Sequence, residues 1–216
     1  MEEPDSPDHL NSSLTDLMAS LMVIFILLLL VFVSSKAGTD PAVAELLLRR
    51  LRDDLTPMGF SDKAMTRDRN VILVIVPDRL MNFETGKSAL QPDGEQFLKR
   101  YVPHFAGVIC SDQFRSSIES IVVEGHTDTQ PFPGQSPETS QSLNLKLSQD
   151  RSMEVVKNAL ADLQGMEPER GCFLEKLSAS GRGEQEPEAT LDDSRRVIFK
   201  IRVKVVEAEA IKVVVH

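Results

Sequence analysis

Several residue types are scarce in this chain of 216 residues. It has no Trp and a single Tyr, Tyr101, so it offers little of the aromatic stacking on which single-strand nucleic-acid binders depend. Lys and Arg number 24 against 33 Asp and Glu, and the net charge of -9 argues against any nucleic-acid partner. Two cysteines are too few for a four-thiolate metal site or a dense disulfide framework. With no internal repeat, the length indicates one folded domain with an appendage.

A long apolar run near the N-terminus predicts a membrane span. Residues 17–33 contain no charge, no Gly and no Pro, and the stretch 14–33 corresponds to about 30 Å of helix, the thickness of a bilayer core. The alternative is a cleaved signal peptide, but residues 1–16 contain no Lys or Arg. We therefore expect a retained transmembrane helix after a short N-terminal segment, 1–13. Its start can be capped by Asn11, Ser12 or Ser13.

Asp16 lies at the start of this apolar run and has two interpretations. An ionisable residue inside a membrane helix indicates a functional site, and Ser20, four residues on, shares its helix face. Alternatively, Asp16 is an interfacial acid that favours the helix N-terminus and reaches water. The sequence alone leaves both interpretations open.

The remainder of the chain reads as a linker followed by one mixed domain. Residues 34–69 contain a short helix over about 41–57, with Asp40 as its N-cap. Residues 70–206 form the domain, and 207–216 are a tail. Its expected elements are strands at 71–76 and 80–83, a helix at 92–108, a strand at 118–124, a polar loop at 129–142, a helix at 143–163, and strands at 173–180 and 196–206. The order β-α-β-α-β-β predicts an α+β fold with helices layered on a mixed sheet.

Five motifs, in order, resemble the OmpA-like peptidoglycan-binding domains, over about residues 70–206. Any one of them would be a weak signal, but each lies on the element that the resemblance requires. They are FETGKSAL from Phe83, VEGHTD from Val123, NLKLSQDRS from Asn144, GRGE from Gly181 with Pro187 after it, and RRV from Arg195.

This resemblance implies a binding site for the peptide stems of peptidoglycan. The matching Asp and Arg, here Asp128 and Arg151, would clamp the ammonium and carboxylate of diaminopimelate, while the alternative is a surface salt bridge between them. Arg195 and Arg196 would line or support the pocket, and Ser148 and Asn144 would help shape a helix N-terminus that suits an anion. The complete implied binding set is Asp128, Asn144, Leu147, Arg151 and Arg196.

No enzymatic arrangement is visible in the sequence. A nucleophile, a base and an orienting group do not occur in a recognisable pattern, so we expect no catalysis on the cell wall. His126 is the one candidate metal ligand in a motif, and the matching residue of the family is structural. We therefore expect no bound metal and no cofactor.

One membrane helix beginning with an Asp, followed by an OmpA-like domain, resembles the B subunits of ion-driven motors. These are the MotB-like flagellar stators and the ZorB branch of Zorya anti-phage systems, and the compact length favours Zorya. The resemblance implies that Asp16 carries a translocated H⁺ or Na⁺, that a polytopic MotA- or ZorA-like A subunit is the partner, and that the protein is a homodimer. Alternatives are a flagellar stator subunit and a passive tether between envelope and peptidoglycan.

The same resemblance sets the expected orientation as a single-pass protein of the bacterial inner membrane. The N-terminus would be cytoplasmic and the C-terminal domain periplasmic, where peptidoglycan lies. The basic residues after the span argue for the opposite orientation under the positive-inside rule. They are Lys36, Arg49, Arg50 and Arg52.

Cys110 and Cys172 are candidates for a disulfide in an oxidising periplasm. Each follows a helix of the expected layout, and because both helices run the same way over the sheet, their ends lie on one side. The alternative is two buried free thiols. For the dimer, the expected contacts are the apolar face of the helix at 41–57 and the C-terminal strand.

Overall fold

The computed structural model describes residues 7–35 and 41–204, with side chains over 14–32 and 42–204. It divides into two units, one containing the N-terminal helix and one covering Asp40–Lys204. The expected cap at Asp40, the basic residue Lys36 and the tail at 207–216 lie outside the described residues.

The N-terminal helix, α1, spans Pro7–Ser35. Its segment Leu14–Phe32 is long and apolar enough to cross a bilayer, and the side chains of this segment are exposed. The helix begins before the expected start at 14, so Asn11, Ser12 and Ser13 fall within it rather than at its cap. Within the described residues, α1 is the one helix that is both long enough and apolar enough to cross a membrane.

The folded unit is built on a five-stranded mixed sheet with the order β1-β2-β5-β3-β4. Neighbouring strands are antiparallel except for β3 and β4, which run parallel. Parallel pairing requires a crossover, which the helices between β3 and β4 provide. The strands are β1 (Met65–Asp68), β2 (Val71–Pro77), β3 (Ile118–His126), β4 (Leu177–Gly181) and β5 (Arg196–Val203).

Helices pack against this sheet and against one another around a single core. The helix α5 contacts β3 and β4, while α4 packs between α2 and α5. The apolar side chains of α4 face the core, with Leu98, Tyr101, Val102 and Phe105 fully enclosed. The remaining helices are α2 (Pro41–Leu55), α3 (Asp78–Met81), α4 (Pro92–Ile109), α5 (Pro137–Asp162), α6 (Glu167–Lys176) and α7 (Leu191–Ser194), with short 3-10 turns at Thr56–Met58 and Asp62–Ala64.

Three expected elements are wrong in type or extent. Half of the segment 80–83, expected as a strand, belongs to the helical turn α3, and within the segment only Phe83 pairs, as an isolated bridge with Leu90. Half of 173–180, also expected as a strand, belongs to α6, and β4 begins at Leu177. The helix α5 begins six residues earlier than expected, because Ser136 caps it and Pro137 occupies its first turn.

The helix α2 belongs to the folded domain and is not a linker. Its residues Leu47, Leu51 and Leu55 have no exposed surface and lie in the core cluster. The expected domain boundary at 70 therefore moves to the start of α2. The apolar face of α2 is occupied within the domain and β5 is paired on both edges, so the two expected dimer contacts are wrong.

Candidate functional site

A cavity of about 400 Å³ lies beside the carboxyl end of β3. It brings together four of the five residues predicted to bind peptidoglycan, namely Asp128, Asn144, Leu147 and Arg151. Two acids and two guanidinium groups face it, so its charges are balanced. The lining residues are Asp78, Phe83, Thr85, Gly86, Thr127, Asp128, Gln130, Pro131, Phe132, Pro133, Asn144, Leu147, Arg151 and Arg195.

The strand β3 carries Thr127 and Asp128 just past its end. The Thr127 amide donates to the Gly183 carbonyl at 2.8 Å, which extends the pairing beyond the strand. Asp128 is 8% exposed, and its Oδ1 accepts the Gln130 amide at 3.0 Å. The Thr127 hydroxyl is buried and finds no hydrogen-bond partner within the described part of the chain. The strand end thus offers a fixed carboxylate to the cavity, while the Thr127 hydroxyl is enclosed by protein.

The helix α5 contributes Asn144, Leu147 and Arg151, which share one face because they are spaced by three and four residues. The Asn144 amide donates to the Gln130 carbonyl at 3.3 Å and to Glu184 at 3.1 Å. The expectation that Asn144 and Ser148 shape a helix N-terminus is wrong, since both lie well inside a helix that starts at Pro137. The chemistry offered by α5 is therefore that of its side chains.

Arg151 is a buried guanidinium held by main-chain carbonyls. It is 4% exposed, and its Nε donates to the Lys87 carbonyl at 3.0 Å. Its Cζ lies 4.9 Å from the centroid of the Phe83 ring, in cation–π contact. Burial lowers the pKa of Arg151, although Asp78 acts in the opposite direction. Among the described residues, no carboxylate lies within ion-pairing distance of Arg151, so an anionic ligand would supply the missing counter-ion.

Arg195 pairs with the acids of the cavity wall. It donates to Asp128 at 2.7 Å and to Asp78 at 3.3 Å, and it also contacts the exposed Asp192. The hydrogen bond that Arg195 donates to Asp128 raises the pKa of Arg195. An internal Asp–Arg salt bridge, which was the alternative interpretation, therefore exists, but its arginine is Arg195 rather than Arg151. Asp78 was missed by the sequence reasoning, because it lies outside the quoted motifs.

Arg196, predicted as a binding residue, has another role. Its guanidinium donates to the carbonyls of Glu186, Asp193 and Ser194 at 3.1–3.4 Å and lies 3.4 Å from Glu188. These contacts fasten the loop between β4 and β5, and the side chain does not line the cavity. Consecutive residues at a strand start point to opposite sides, so of the two neighbours it is Arg195 that reaches the cavity.

A second polar cluster lies behind the cavity, on β3 and β5. His126 is buried, with Nδ1 3.2 Å from the Gln185 carbonyl and Nε2 3.0 Å from Glu124. Lys200 also pairs with Glu124, at 2.5 Å. Glu124, His126 and Glu186 could each offer one metal-ligand atom within 4.8 Å. Because Glu124 is already bonded to both His126 and Lys200, we describe the group as a hydrogen-bonded network rather than a metal site.

Asp16 and the two cysteines are the predicted residues that remain. Asp16 lies in α1, at the start of the apolar stretch, and is exposed. Cys110 caps the C-terminus of α4 and is joined by a disulfide to Cys172, with the Cα atoms 6.0 Å apart. Cys172 lies inside α6 rather than between a helix and a strand.

Comparison with known proteins gives matches that extend over most of the chain. The model of the OmpA family matches residues 82–196. The Zorya protein ZorB of Escherichia coli is 24% identical over 204 residues, covering 88% of this chain and 86% of that protein. The putative MotB-like protein of Desulfovibrio vulgaris has a TM-score of 0.52 at 21% identity, covering 76% of this chain and 98% of its own. The periplasmic domain of Helicobacter pylori MotB has a TM-score of 0.48 at 18% identity, covering 65% and 81%. At such identities the structural likeness concerns the fold.

Proposed function

The chain belongs to the OmpA family, whose model matches just over half of it, and we propose that its folded domain anchors the protein by binding peptidoglycan. The ligand is the stem peptide, whose diaminopimelate carries an ammonium and a carboxylate. Asp128 receives the ammonium and Arg151 the carboxylate. The action is binding without catalysis, and the domain lies in the periplasm.

The observation that carries this proposal is the burial of Arg151 without a carboxylate in ion-pairing distance among the described residues. A buried charge is costly unless it is paired, and main-chain carbonyls compensate a guanidinium only in part. Arg151 faces a cavity that also contains the Asp128 carboxylate. Together these groups complement a small ligand that has both an anionic and a cationic end.

Sedimentation with purified, insoluble peptidoglycan tests the proposal. The full-length protein in detergent should co-sediment, and Asp128→Asn or Arg151→Gln should lower its affinity at least about tenfold, since losing one partner of a buried charge pair costs a few kcal/mol. Lys157→Gln is the control, because Lys157 is exposed and pairs only with Glu154 on α5. Undiminished binding by both cavity variants, with native melting curves, would move the site elsewhere.

We further propose that the protein is the B subunit of an ion-driven inner-membrane motor acting in anti-phage defence, with a polytopic A subunit as partner. The support is the match to the Zorya protein ZorB, which extends over 88% of this chain and so beyond the OmpA-family region. Asp16 carries the H⁺ or Na⁺ in this proposal, because a carboxylate beside hydrocarbon can alternate between its charged and neutral forms.

Phage infection of cells that carry the complete system tests the motor proposal. Asp16→Asn should leave membrane assembly intact but abolish protection, and Ser13→Ala, just before the apolar stretch, is the control. Full protection by Asp16→Asn would instead support a passive tether, and a swimming defect without a phage phenotype would support a flagellar stator. We also propose a homodimer, which a monomeric mass for the B component of the detergent-solubilised complex would contradict.

A further inference from the structure

Arg195 ties together the two acids of the cavity wall. Its Nη1 donates to Oδ2 of Asp128 at 2.7 Å, its Nε donates to Oδ2 of Asp78 at 3.3 Å, and its Nη2 contacts the exposed Asp192. The Asp78 amide also donates to the Arg195 carbonyl at 3.0 Å, so the two backbones are joined. Arg195 therefore remains beside Asp78 whatever occupies Asp128.

Asp128 is the acid that a ligand ammonium needs, and both of its oxygens are engaged. Oδ1 accepts the Gln130 amide at 3.0 Å, while Oδ2 accepts Arg195. An ammonium placed at Oδ2 would bring a second positive charge within a few Å of the guanidinium, where like charges repel. A cationic ligand group must therefore compete with Arg195 for this carboxylate.

Asp78 offers Arg195 another partner. Burial raises the pKa of Asp78, although Arg151 and Arg195 act in the opposite direction, so its carboxylate would gain from a closer cation. The present 3.3 Å separation can shorten, because charge-assisted hydrogen bonds commonly reach about 2.7–2.9 Å. Asp192 provides an additional contact from solvent.

We propose that Arg195 is an internal competitor for Asp128, which it releases to a ligand ammonium by shifting onto Asp78 and Asp192. This inference rests on the proposed function, because it concerns the same cavity. The ligand is a zwitterion whose ammonium replaces Arg195 and whose carboxylate meets Arg151. A dicarboxylate without an amine cannot displace Arg195, so the exchange selects for the amine. Asp78 is then a positioning residue that acts through Arg195.

Titration calorimetry on the full-length protein in detergent tests the exchange, with meso-diaminopimelate and pimelate as probes. Pimelate has the same carbon chain without the amines. Arg195→Gln should bind diaminopimelate about three- to tenfold more tightly, and Asp78→Asn about three- to tenfold more weakly, since coupled neighbours show effects of this order. In the double variant, Asp78→Asn should no longer weaken binding. Arg100→Gln, exposed on α4, is the matched control.

Several results would overturn the exchange. They are unchanged or weaker binding of diaminopimelate by a natively melting Arg195→Gln variant, an equal gain for pimelate, and an Asp78→Asn penalty that persists without Arg195. Should Arg195→Gln not fold, Arg195→Lys takes its place, because one ammonium cannot bridge both acids as the guanidinium fork does. A gain then supports the exchange, and no gain overturns it.

The failure of the exchange is distinguishable from the failure of the proposed function. Diaminopimelate binding by the wild type that Asp128→Asn abolishes supports the site, and the Arg195 variants then decide the exchange alone. Binding that Asp128→Asn leaves intact removes both proposals. Absence of binding in the wild type and in every variant also removes both.

Discussion

Thr127 is a residue of the cavity wall whose hydroxyl has no hydrogen-bond partner among the described residues. A buried hydroxyl without a hydrogen bond costs about 1–3 kcal/mol. The Thr127 amide is satisfied by the Gly183 carbonyl, so this cost concerns the side chain alone. Because the hydroxyl oxygen has almost no exposed surface, it is closed off from a ligand in the cavity and affects stability rather than binding.

We expect Thr127→Val to separate binding from stability. The variant keeps the shape of the side chain and removes the unpaired hydroxyl, so the free energy of unfolding should be unchanged or higher by up to about 1 kcal/mol. Affinity for peptidoglycan should stay within about twofold of the wild type in the sedimentation assay, because the hydroxyl is closed off from the cavity. Thr66→Val on the exposed face of β1 is the matched control. A several-fold loss of binding by Thr127→Val alone would mean that the hydroxyl does touch the ligand.

Glu124 couples the stability of the domain to pH. Burial alone would raise its pKa, but the hydrogen bonds from His126 and Lys200 outweigh burial and lower the pKa to about 2, from an ordinary value of 4.5. The pKa of this carboxyl group is lower in the folded state than in the unfolded state. Such a group stabilises the folded protein when the pH is above its pKa in the unfolded state. This stabilisation is lost as the pH falls from about 4.5 to about 2.

Glu124→Gln should therefore remove part of the acid sensitivity of unfolding. Urea titrations measure the free energy of unfolding. Between pH 5 and pH 2, this free energy should fall by up to about 3 kcal/mol more in the wild type than in the variant. The variant itself should be less stable at pH 7, because Lys200 and His126 lose their acidic partner. Glu119→Gln, exposed on the same strand, should keep the wild-type pH profile.

Much of the cavity could be predicted from the sequence, but not its ion pairing. Asp128 and Arg151 lie in recognisable motifs, and the fold brings them to one cavity. The contact between Asp78 and Arg195 joins residues 117 positions apart, and nothing local to either residue indicates it. The choice between Arg195 and Arg196 depends on the side to which each points at the start of β5, which a motif match does not specify.

At the scale of elements, the strongly apolar segments were predictable and the weakly patterned ones were not. The strand β2 is a β-branched run, while β1 has one buried residue among four and gives no alternation. The short helix α6 buries only Cys172 and Phe173, too few to display a helical period. The early start of α5 did have a signal, the Ser136-Pro137 pair.

The structure also explains the basic residues that follow the membrane span. Arg49 pairs with Glu45 and Arg50 with Asp54 along α2, and Arg52 donates to the Met65 carbonyl. These arginines belong to a folded unit. The positive-inside rule counts short loops, whereas folded domains translocate largely regardless of charge. Three of the four basic residues therefore do not argue against a periplasmic domain.

Contact between α5 and the sheet depends on glycine. A Cβ at Gly125 would lie 2.3 Å from the Ser148 carbonyl oxygen, and one at Gly181 would lie 2.5 Å from the Gln149 amide nitrogen. Both clashes are with helix backbone, which cannot rotate away as a side chain can. Close approach of α5 to β3 and β4 holds Arg151 and Asp128 in the same cavity.

Gly125→Ala should consequently destabilise the domain by about 2–4 kcal/mol, as overpacking against backbone does. Urea unfolding measures the change, and peptidoglycan binding should weaken together with it. Gly107→Ala is the matched control, since Gly107 lies in α4 with no atom within 4 Å of an added Cβ. It should stabilise the helix by about 0.5–1 kcal/mol. Similar stability for the two variants would contradict the packing argument.

At the scale of the whole molecule, the disulfide bears both on the stability of the fold and on the proposed periplasmic location of the domain. The Cys110–Cys172 bond joins the end of α4 to α6 across a separation of 62 residues. In the chain-entropy model, a loop of this length stabilises the folded state by about 4 kcal/mol. Disulfides are typical of oxidising compartments and rare in the cytosol, so the bond supports the proposed periplasmic location of the domain.

We therefore expect protein purified from membranes without reductant to contain no alkylatable thiol, as measured by mass spectrometry under denaturing conditions. Cys110→Ser/Cys172→Ser should lower the free energy of unfolding by about 3–4 kcal/mol, and dithiothreitol should destabilise the wild type by a similar amount without affecting the variant. Peptidoglycan binding should persist in the variant at temperatures where it remains folded, because neither cysteine lines the cavity. Two reactive thiols in the wild type would contradict the bond and would also remove this support for the periplasmic orientation.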